Sequence, residues 1–390
     1  MIVDWLRTIW RFRLGFIAVA LVVFVPVSLA YEWEYSAGGA PITSAFQMAE
    51  QPTPQSVVTL ASTPATLPPT TATIAPTPTV GPRYADIHPN ELGKIMVLEY
   101  HVIGDEELRW TRTREHFRQD LEYLYQHGYY LIGLNDLLDN HVRVPAGKTP
   151  VVITFDDSNR SQFQFIKAAD GSLTVDPTTG LGILDEFAAE HPDFGRTAVF
   201  CVLPGADPPN DLFGQPEYRK KKLQYLVQDG SEICNHTLWH AKLDSISDKE
   251  IVRQLALAVK AIQDAVPGYQ VNTFNPPSGI YPDNINLILS GTFEGVSYHN
   301  RAILKVGGGP MTAPNDRKTN FLYTPRIQAI PSELNYWFKY FEQHPEERYV
   351  SDGDPDRVVF PVQLIKDFDP SPGAREESSP DPAYKVFRLR

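Results

Sequence analysis

Two acidic residues and two histidines of this sequence follow segments that resemble buried strands. Asp156 and Asp157 come directly after the apolar run VVITF, and His236 and His240 lie in the segment NHTLWH. A buried carboxylate needs a partner, so a pair of them at a strand end favours a functional site. Adjacent strand residues point in opposite directions, which suits an acid–base pair around a glycosidic bond poorly. The pair therefore favours one metal ligand and one general base.

The two histidines are four residues apart and can bind the same divalent ion. Thr237 follows the first of them, where the zinc-protease motif requires glutamate. Each histidine alone would more often have a structural role, but the pair at a predicted strand end favours a metal site. Asp157, His236 and His240 together supply three protein ligands and leave a position for water, which is typical of catalytic metal sites.

The segments that hold these residues alternate between strands and helices. The hydrophobic pattern predicts strands over 94–101, 151–155, 197–203 and 231–235, and helices over 116–127, 181–190 and 223–227. A further helix is predicted from the capping box Ser247-Asp248-Lys249-Glu250 to Val266. This alternation predicts a parallel sheet or an α/β barrel, in which functional residues lie at the carboxyl ends of the strands.

The N-terminal residues 1–31 predict a signal anchor or a signal peptide. Three arginines precede the uncharged apolar run 14–30. As a helix of about 1.5 Å per residue, this run is nearly long enough to cross a bilayer. We expect a single-pass anchor in the cell membrane with the following residues on the extracellular face. Cleavage after Ala30 would instead give a secreted protein.

The rest of the chain divides into three regions by composition. Residues 32–90 are rich in proline and threonine and predict a disordered stalk, because they cannot bury enough apolar surface to fold. Residues 91–365 predict a globular catalytic domain, and residues 366–390 predict a loose acidic tail. The net charge of -12 argues against a nucleic-acid partner, which usually meets a basic surface.

Three motifs resemble those of a known family. TFDDS, NHTLWH and the later NPPSG at 275–279 are similar in order and spacing to the polysaccharide deacetylase family, also called carbohydrate esterase family four or the NodB-homology domain. The resemblance covers roughly residues 94–361. It implies an α/β fold, a distorted (β/α) barrel of about seven strands, and the removal of acetyl groups from a polysaccharide. The N-acetylglucosamine-type residues of peptidoglycan, chitin-like chains or exopolysaccharides are the implied substrates.

The resemblance also implies the roles of the site residues. Asp156 corresponds to the catalytic base, and Asp157, His236 and His240 correspond to the ligands of a divalent metal. Zinc is the favoured cofactor, with cobalt, nickel and manganese as alternatives. Substrate contacts are expected at Trp239, beside the histidines, and in the third motif at Asn275, Pro277 and Gly279.

Two positions depart from the family pattern. The third motif normally begins with an arginine that pairs with the catalytic aspartate, and here Asn275 stands in its place. We predict that Arg326 replaces that arginine by forming a salt bridge with Asp156. The final strand VVFPVQL also lacks the family's acid histidine, so His101 and His299 are the candidates for the general acid.

These departures keep two alternatives open. The chain can be a carbohydrate-binding module of the same fold that captures its ligand without turnover, or an amidohydrolase or esterase that acts on a different acyl group. An arginine at hydrogen-bond distance from Asp156 would favour the enzymes over the binding module, because binding alone does not require a base.

Three other features favour structural roles. The basic run Arg219–Lys222 predicts a solvated helix face, and Gly307–Gly309 predicts a plain loop that lacks the spacing of a phosphate-binding motif. Cys201 and Cys234 lie in predicted core strands, where two buried free thiols are favoured over a disulfide.

Overall fold

The computed structural model of this chain describes residues 83–371 and 373–389. The predicted anchor, and the predicted stalk up to residue 82, lie outside the described residues. Within the ranges that the structure does describe, no helix has both the length and the apolar character needed to cross a bilayer. Tyr84 begins a short helix and is buried with Val359 and Val386. The predicted stalk boundary at residue 90 is therefore wrong, since the folded domain already includes Tyr84.

Short strands and helices alternate through most of the described residues. The strands are β1 (Lys94–Tyr100), β2 (Val102–Gly104), β3 (Thr111–Thr113), β4 (Tyr129–Leu131), β5 (Thr149–Phe155), β6 (Phe165–Lys167), β7 (Leu173–Val175), β8 (Val199–Val202), β9 (Glu232–Asn235), β10 (Thr273–Phe274), β11 (Ser290–Phe293), β12 (Val296–His299), β13 (Ala302–Gly308), β14 (Met311–Thr312), β15 (Thr324–Gln328), β16 (Arg357–Pro361), β17 (Arg375–Glu377) and β18 (Tyr384–Arg388). The helices are α1 (Tyr84–Ile87), α2 (Arg114–Gln126), α3 (Leu134–Leu138), α4 (Gly180–Glu190), α5 (Arg219–Gln228), α6 (Asp248–Ala265), α7 (Asn286–Leu289) and α8 (Pro331–Gln343).

Parallel strands form a closed barrel. Around the barrel the order is β1, β15, β13, β10, β9, β8 and β5, and β5 pairs in parallel with β1 to close the ring. Strand β4 lies beside β5, and β14 pairs with β1 in the antiparallel sense. The predicted (β/α) barrel of about seven strands is thereby confirmed.

Helix α6 shows how the sequence places the outer layer. The Ser247 hydroxyl accepts a hydrogen bond from the Glu250 backbone N–H at 3.3 Å, so the helix begins where the capping box predicts. Leu255, Val259 and Ile262 recur at helical spacing and are buried against the barrel. Burial of this apolar stripe holds the helix on the sheet.

The inside of the barrel changes from apolar to polar along the strand direction. Val97 on β1 and Val152 on β5 belong to an interior apolar cluster. Two residues further along each strand, the same face carries Glu99 and Thr154, which are buried and directly opposite each other in the β1–β5 register. The carboxyl ends of the strands therefore surround a polar, largely buried mouth.

Cys201 and Cys234 form a disulfide inside this barrel. They are directly opposite each other on the parallel strands β8 and β9, and both are fully buried. The prediction of parallel, shielded strands is confirmed, but the prediction of two free thiols is wrong. The register of the two strands brings the cysteines side by side, and the sequence alone does not show that register.

The basic run on α5 is only partly solvated. Lys220 and Lys221 are exposed, as predicted. Lys222 is fully buried, and its Nζ donates to the carbonyl oxygens of Phe163 at 3.0 Å and Phe213 at 2.8 Å. The solvated prediction is wrong for Lys222 because its ammonium group is needed to satisfy these buried carbonyls.

The C-terminal residues form a small sheet instead of a loose tail. Strand β18 pairs in the antiparallel sense with both β16 and β17. Val386, at the centre of Tyr384–Arg388, is buried, as is Phe368. The predicted domain end at residue 365 is therefore wrong, because the residues that follow supply part of a hydrophobic core.

Candidate active site

Asp157, His236 and His240 meet at the mouth of the barrel. Asp157 lies two residues beyond β5, and the histidines lie just beyond β9. The Oδ1 atom of Asp157 is 3.2 Å from His236 Nε2 and 3.4 Å from His240 Nε2. Two imidazole nitrogens and one carboxylate oxygen thus point at one small volume, and all three ligand atoms lie within 4.8 Å of one another.

The contacts of His236 prepare it to bind a metal. Its Nδ1 lies 2.7 Å from the Asn275 backbone oxygen, which can only accept, so Nδ1 carries the proton. Nε2 is therefore the ring nitrogen that faces Asp157, as in metal sites where a carbonyl orients a ligating imidazole. The Asn275 side chain is fully buried and, among the described residues, has no hydrogen-bond partner.

Left-handed backbone conformations concentrate at these ligands. The φ angles of Asp157, Thr237 and His240 are 73°, 69° and 65°. Such values are uncommon for residues other than glycine, and they cluster where the surrounding structure holds a functional geometry. Thr237 is held by its own contacts, because its N–H donates to the Asn235 side chain at 2.8 Å.

The charge state of the ligands fits a divalent ion. Burial and the neighbouring His236 lower the pKa of His240 to about 4, so its imidazole is neutral at neutral pH. Burial opposes ionisation of Asp157, but the hydrogen bond from His236 and the nearby imidazoles outweigh it and lower the pKa of the carboxyl. A carboxylate and two imidazole nitrogens are the donor set that zinc and similar ions prefer.

The predicted salt bridge between Asp156 and Arg326 is present. Arg326 Nη1 donates to Asp156 Oδ1 at 2.9 Å, and Nη2 donates to Oδ2 at 2.8 Å. Burial alone would raise the pKa of Asp156, but the guanidinium outweighs burial and holds that pKa well below its usual range. The side chain is therefore an ionised carboxylate whose two oxygens are fixed by a bidentate contact.

Arg326 is itself held from several sides. Its Nε donates to the Lys305 carbonyl at 2.7 Å, its Nη1 also donates to Thr154 Oγ1 at 2.9 Å, and its Nη2 lies 3.4 Å from Glu99 Oε1. The whole side chain is buried. Arg326 thus pairs with Asp156, as we predicted from the absence of an arginine at position 275.

Glu99 is a site residue that the sequence analysis missed. It is buried on β1, its Oε2 accepts from the Gly307 N–H at 3.0 Å, and its Oε1 faces Arg326. Burial raises its pKa, and Arg326 only partly opposes this effect. The available signal was one acidic residue directly after the apolar residues Ile95–Leu98 of this strand.

His101 is the acid candidate that the structure brings to the base. Its Nε2 is 3.8 Å from Asp156 Oδ2 and 4.0 Å from Glu99 Oε1, and its ring packs on Trp110 at 4.6 Å between centroids. The other candidate, His299, is exposed on β12, in a hairpin that packs against α6. The structure therefore pairs the aspartate with His101 and not with His299.

The residues predicted to contact substrate differ in their exposure. Trp239 lies between His236 and His240 in sequence, and 44% of it is exposed. Gly279, with a φ of 67°, closes the turn Pro277–Gly279 after β10, and Pro277 is buried. The described contact of Asn275 is made by its backbone oxygen with His236 Nδ1, so this residue orients the His236 ring.

Residues 192–292 match the family model described as polysaccharide deacetylase. This region is similar to the polysaccharide deacetylase family. The predicted resemblance is thereby confirmed. The matched region contains His236, His240 and the third motif. The aspartate pair and Arg326 lie outside it, and the geometry above assigns them to the same site.

Two curated relatives are similar to short parts of the chain. The chitooligosaccharide deacetylase of Sinorhizobium fredii is 31% identical over 67 residues, which are 17% of this chain and 31% of the relative. Chitin deacetylase 1 of Cryptococcus neoformans is 36% identical over 70 residues, which are 18% of this chain and 15% of the relative. The similarity thus spans less than a third of the length of either relative.

A solved structure with similarity over a longer part of the chain is the Streptococcus pyogenes deacetylase PplD in complex with acetate. Its sequence is 18% identical, and the superposition has a TM-score of 0.45. The superposed region covers 64% of this chain and 97% of that chain.

Proposed function

We propose that this protein is a metal-dependent hydrolase that removes acetyl groups from N-acetylated sugar residues of an extracellular polysaccharide. The observation that carries the proposal is the juxtaposition of two groups at the barrel mouth. One is the metal-binding set of Asp157, His236 and His240, and the other is the neighbouring Asp156 carboxylate held by Arg326. A base beside a divalent ion is the arrangement that hydrolytic metal sites use.

The metal would be held by the three side chains whose ligand atoms converge. Zinc is the favoured ion because two imidazoles and a carboxylate form one of its common catalytic ligand sets. Cobalt, nickel and manganese are alternatives that reconstitution can compare. When bound, a divalent ion supplies Lewis-acid polarisation of an acyl carbonyl and lowers the pKa of water toward neutrality.

Asp156 acts as the general base in this proposal. Its carboxylate takes a proton from the attacking water while the water oxygen forms a bond to the acetyl carbon. The carbon–nitrogen bond then breaks, which releases acetate and leaves a free amine on the sugar. Arg326 keeps both carboxylate oxygens in one orientation, so that the base faces the reacting water.

His101 is the proposed general acid. It lies at the same mouth as Asp156, with its Nε2 directed toward the carboxylates. A protonated His101 can donate to the leaving nitrogen as the amide bond breaks. The Trp110 ring packs against the imidazole at a tilt, with 4.6 Å between the ring centroids.

A chitin-like chain is the first substrate to test, because the two curated relatives are named for chitin and its oligosaccharides. Peptidoglycan and exopolysaccharide chains are the other members of the proposed class. The exposed Trp239 lies beside the metal ligands and offers an apolar ring face to a sugar.

We place the protein outside the cytoplasm, held in the cell membrane by its N-terminal segment. The buried disulfide supports this location, since structural disulfides persist mainly in oxidising compartments. Protease treatment of intact cells should remove the folded domain from the membrane fraction. Protection of the domain from added protease would contradict the location.

The two alternatives make different predictions for the same site. The bidentate Arg326 contact favours an enzyme over a binding module, because capture of a ligand does not require an oriented base. Comparing substrates that carry different acyl groups tests the amidohydrolase or esterase alternative.

The test is acetate release from acetylated chitooligosaccharides, peptidoglycan and poly-N-acetylglucosamine, each with and without a chelator. We expect release from at least one glycan, loss of release after chelation, and recovery on adding zinc. Release that continues unchanged in the chelated protein would overturn the metal dependence. Release of other acyl groups but not acetate would favour the esterase or amidohydrolase alternative.

A further inference from the structure

Glu99 is a buried carboxylate at the barrel mouth that has no assigned role in the proposed reaction. Only 1% of the residue is exposed, and its Oε2 accepts from the Gly307 N–H at 3.0 Å. Its Oε1 has no hydrogen-bond partner within residues 83–371 and 373–389. Burying a carboxylate oxygen without a partner is unfavourable, so Oε1 indicates a contact that forms when the site works.

Two nitrogen-bearing side chains converge on this oxygen. Glu99 Oε1 is 3.4 Å from Arg326 Nη2 and 4.0 Å from His101 Nε2. The same two nitrogens face the proposed base, because Asp156 Oδ2 is 2.8 Å from Arg326 Nη2 and 3.8 Å from His101 Nε2. Arg326 and His101 therefore each lie within 4.0 Å of both buried carboxylates, and Glu99 Oε1 is available to accept a hydrogen bond from either.

The backbone around these groups is already tied together. The Gln162 side chain is fully buried, and its Nε2 donates to the backbone oxygens of His101 at 2.7 Å and Asp156 at 2.5 Å. The Asp156 N–H donates to the Tyr100 oxygen at 2.9 Å. Because the backbones of the proposed acid and base are held in this way, the orientation of their side chains depends on the side chains that surround them. A change at Glu99 should therefore alter those orientations and leave the path of the chain as it is.

The protonated form of His101 supplies the partner that Oε1 lacks. A protonated imidazole donates from both ring nitrogens, whereas a carboxylate oxygen only accepts. A shift of about 1 Å would bring His101 Nε2 to hydrogen-bond distance from Glu99 Oε1. We propose that Glu99 is a positioning residue, which holds the Arg326 guanidinium against Asp156 and keeps the His101 imidazole where it can serve as the acid. The proposal rests on the proposed function, because it concerns the base and the acid of the same reaction.

Glu99→Gln in the full chain gives the kinetic test. Glutamine keeps an oxygen for the Gly307 N–H but directs an NH₂ group, which cannot accept, at Arg326 and His101. We expect the kcat for the glycan that the wild type deacetylates to fall about tenfold or more, with little change in KM, because a positioning contact acts on the chemical step. A folded variant that keeps the wild-type kcat would overturn the proposal. If the glutamine variant does not fold, Glu99→Asp gives the same comparison, because it withdraws the carboxylate from both partners.

Glu342→Gln is the matched control. Glu342 also lies beside an imidazole, with its Oε1 3.5 Å from His127 Nε2, but it belongs to the last turn of α8 and its side chain is 46% exposed. The same replacement at this position should leave kcat and KM unchanged. An equal loss of kcat in the two variants would show that the effect of Glu99→Gln is not specific to the barrel mouth, and would overturn the proposal.

Double-mutant cycles identify the groups through which Glu99 acts. Glu99→Gln is combined with His101→Asn in one cycle and with Arg326→Lys in the other. If Glu99 works by holding these two side chains, its replacement should cost much less once either partner has been changed, since coupled residues do not contribute additively. Additive losses of kcat in either cycle would overturn the proposal.

A spectroscopic measurement separates this proposal from the proposed function. In protein labelled with ¹⁵N-histidine, the Nε2 resonance of His101, assigned with His101→Asn, should shift in Glu99→Gln and stay in place in Glu342→Gln. An unchanged His101 resonance in Glu99→Gln would overturn the proposal, whatever the activity. If the resonance shifts but the wild type releases no acetate from any glycan, the deacetylase proposal fails and the contact between Glu99 and His101 stands.

Discussion

Arg326 and Asp156 are 170 residues apart in sequence, yet their contact orients the proposed base. Lysine at position 326 would keep the positive charge but lose the two parallel hydrogen bonds. We expect Arg326→Lys to lower kcat by a factor of ten or more, of the order that a mispositioned base costs. The KM should change little, because the contact acts on the chemical step. A raised KM with unchanged kcat would instead assign Arg326 to substrate binding.

Replacing His236 tests the assignment of the metal ligands. Removal of one of three protein ligands should reduce metal affinity, so His236→Ala should lose most of the roughly one divalent ion expected for each chain. His299→Ala is the matched control, because His299 is exposed on the β11–β12 hairpin. Elemental analysis of both purified variants measures the difference. Equal metal content in His236→Ala and wild type would contradict the ligand assignment.

The sequence predicts site residues well where they follow visible apolar strands. Asp156, Asp157 and His236 are found this way, because every strand end of a parallel barrel meets at one mouth. Glu99 is not found this way, because it lies within β1 and not after its end. Its side chain faces the inside of the barrel because alternate strand residues point to opposite faces. The Asn275 backbone oxygen accepts a hydrogen bond from His236. Any residue type has such an oxygen, so the sequence does not reveal this contact.

At the scale of elements, Glu232 links β9 to the start of α3. Its Oε1 accepts from the Asn135 N–H at 3.0 Å, and burial, assisted by Asp136, raises its pKa to about 7. Between pH 4.5 and 7 the folded protein therefore holds a proton that the unfolded chain releases. Stability from this group is present at the lower end of that window and is lost as the pH rises.

Glu232→Gln should remove this pH dependence. The free energy of unfolding of the wild type should fall relative to that of the variant by up to about 3 kcal/mol as the pH rises from 4.5 to 7. Denaturant unfolding at several pH values measures the two slopes. Parallel curves for the two proteins would show that Glu232 does not titrate in this range.

Element prediction succeeds for long apolar runs and fails for short strands. VVITF is continuous and predicts β5 directly, whereas β10 contains only Thr273 and Phe274. A two-residue strand has no periodicity, and its place in the barrel is set by pairing with β9 and β13. The closed ring therefore follows from tertiary pairing as much as from local pattern.

At the scale of the whole molecule, the C-terminal sheet completes the fold beside α1. Val386 is buried with Tyr84 and Val359, which come from distant parts of the chain. Val386→Ala should lower the free energy of unfolding by about 1–3 kcal/mol, through lost burial and the cavity left behind. Val362→Ala is the control, since Val362 is 39% exposed. Equal unfolding midpoints for the two variants would contradict a structural role for this sheet.

The prediction of a loose tail was wrong because the composition of these residues resembles that of a disordered segment. Its prolines and acidic residues are frequent, but Tyr384–Arg388 forms the middle strand of a small sheet, because β16 and β17 both offer it an edge. Whether a neighbouring strand is there to pair with this segment depends on the folded molecule and not on the segment's own sequence. The disulfide has the same origin, because the register of β8 and β9 decides whether two buried cysteines meet.

Asp156→Asn separates the proposed metal site from the proposed base that Arg326 holds. Metal content and acetate release should be measured on the same preparations of wild type and variant, with the glycan that the wild type deacetylates. The amide preserves size but cannot take a proton from water. We expect the variant to keep its divalent ion and to lose acetate release by a factor of about 10² or more. A variant that retains both its metal and wild-type acetate release would contradict it.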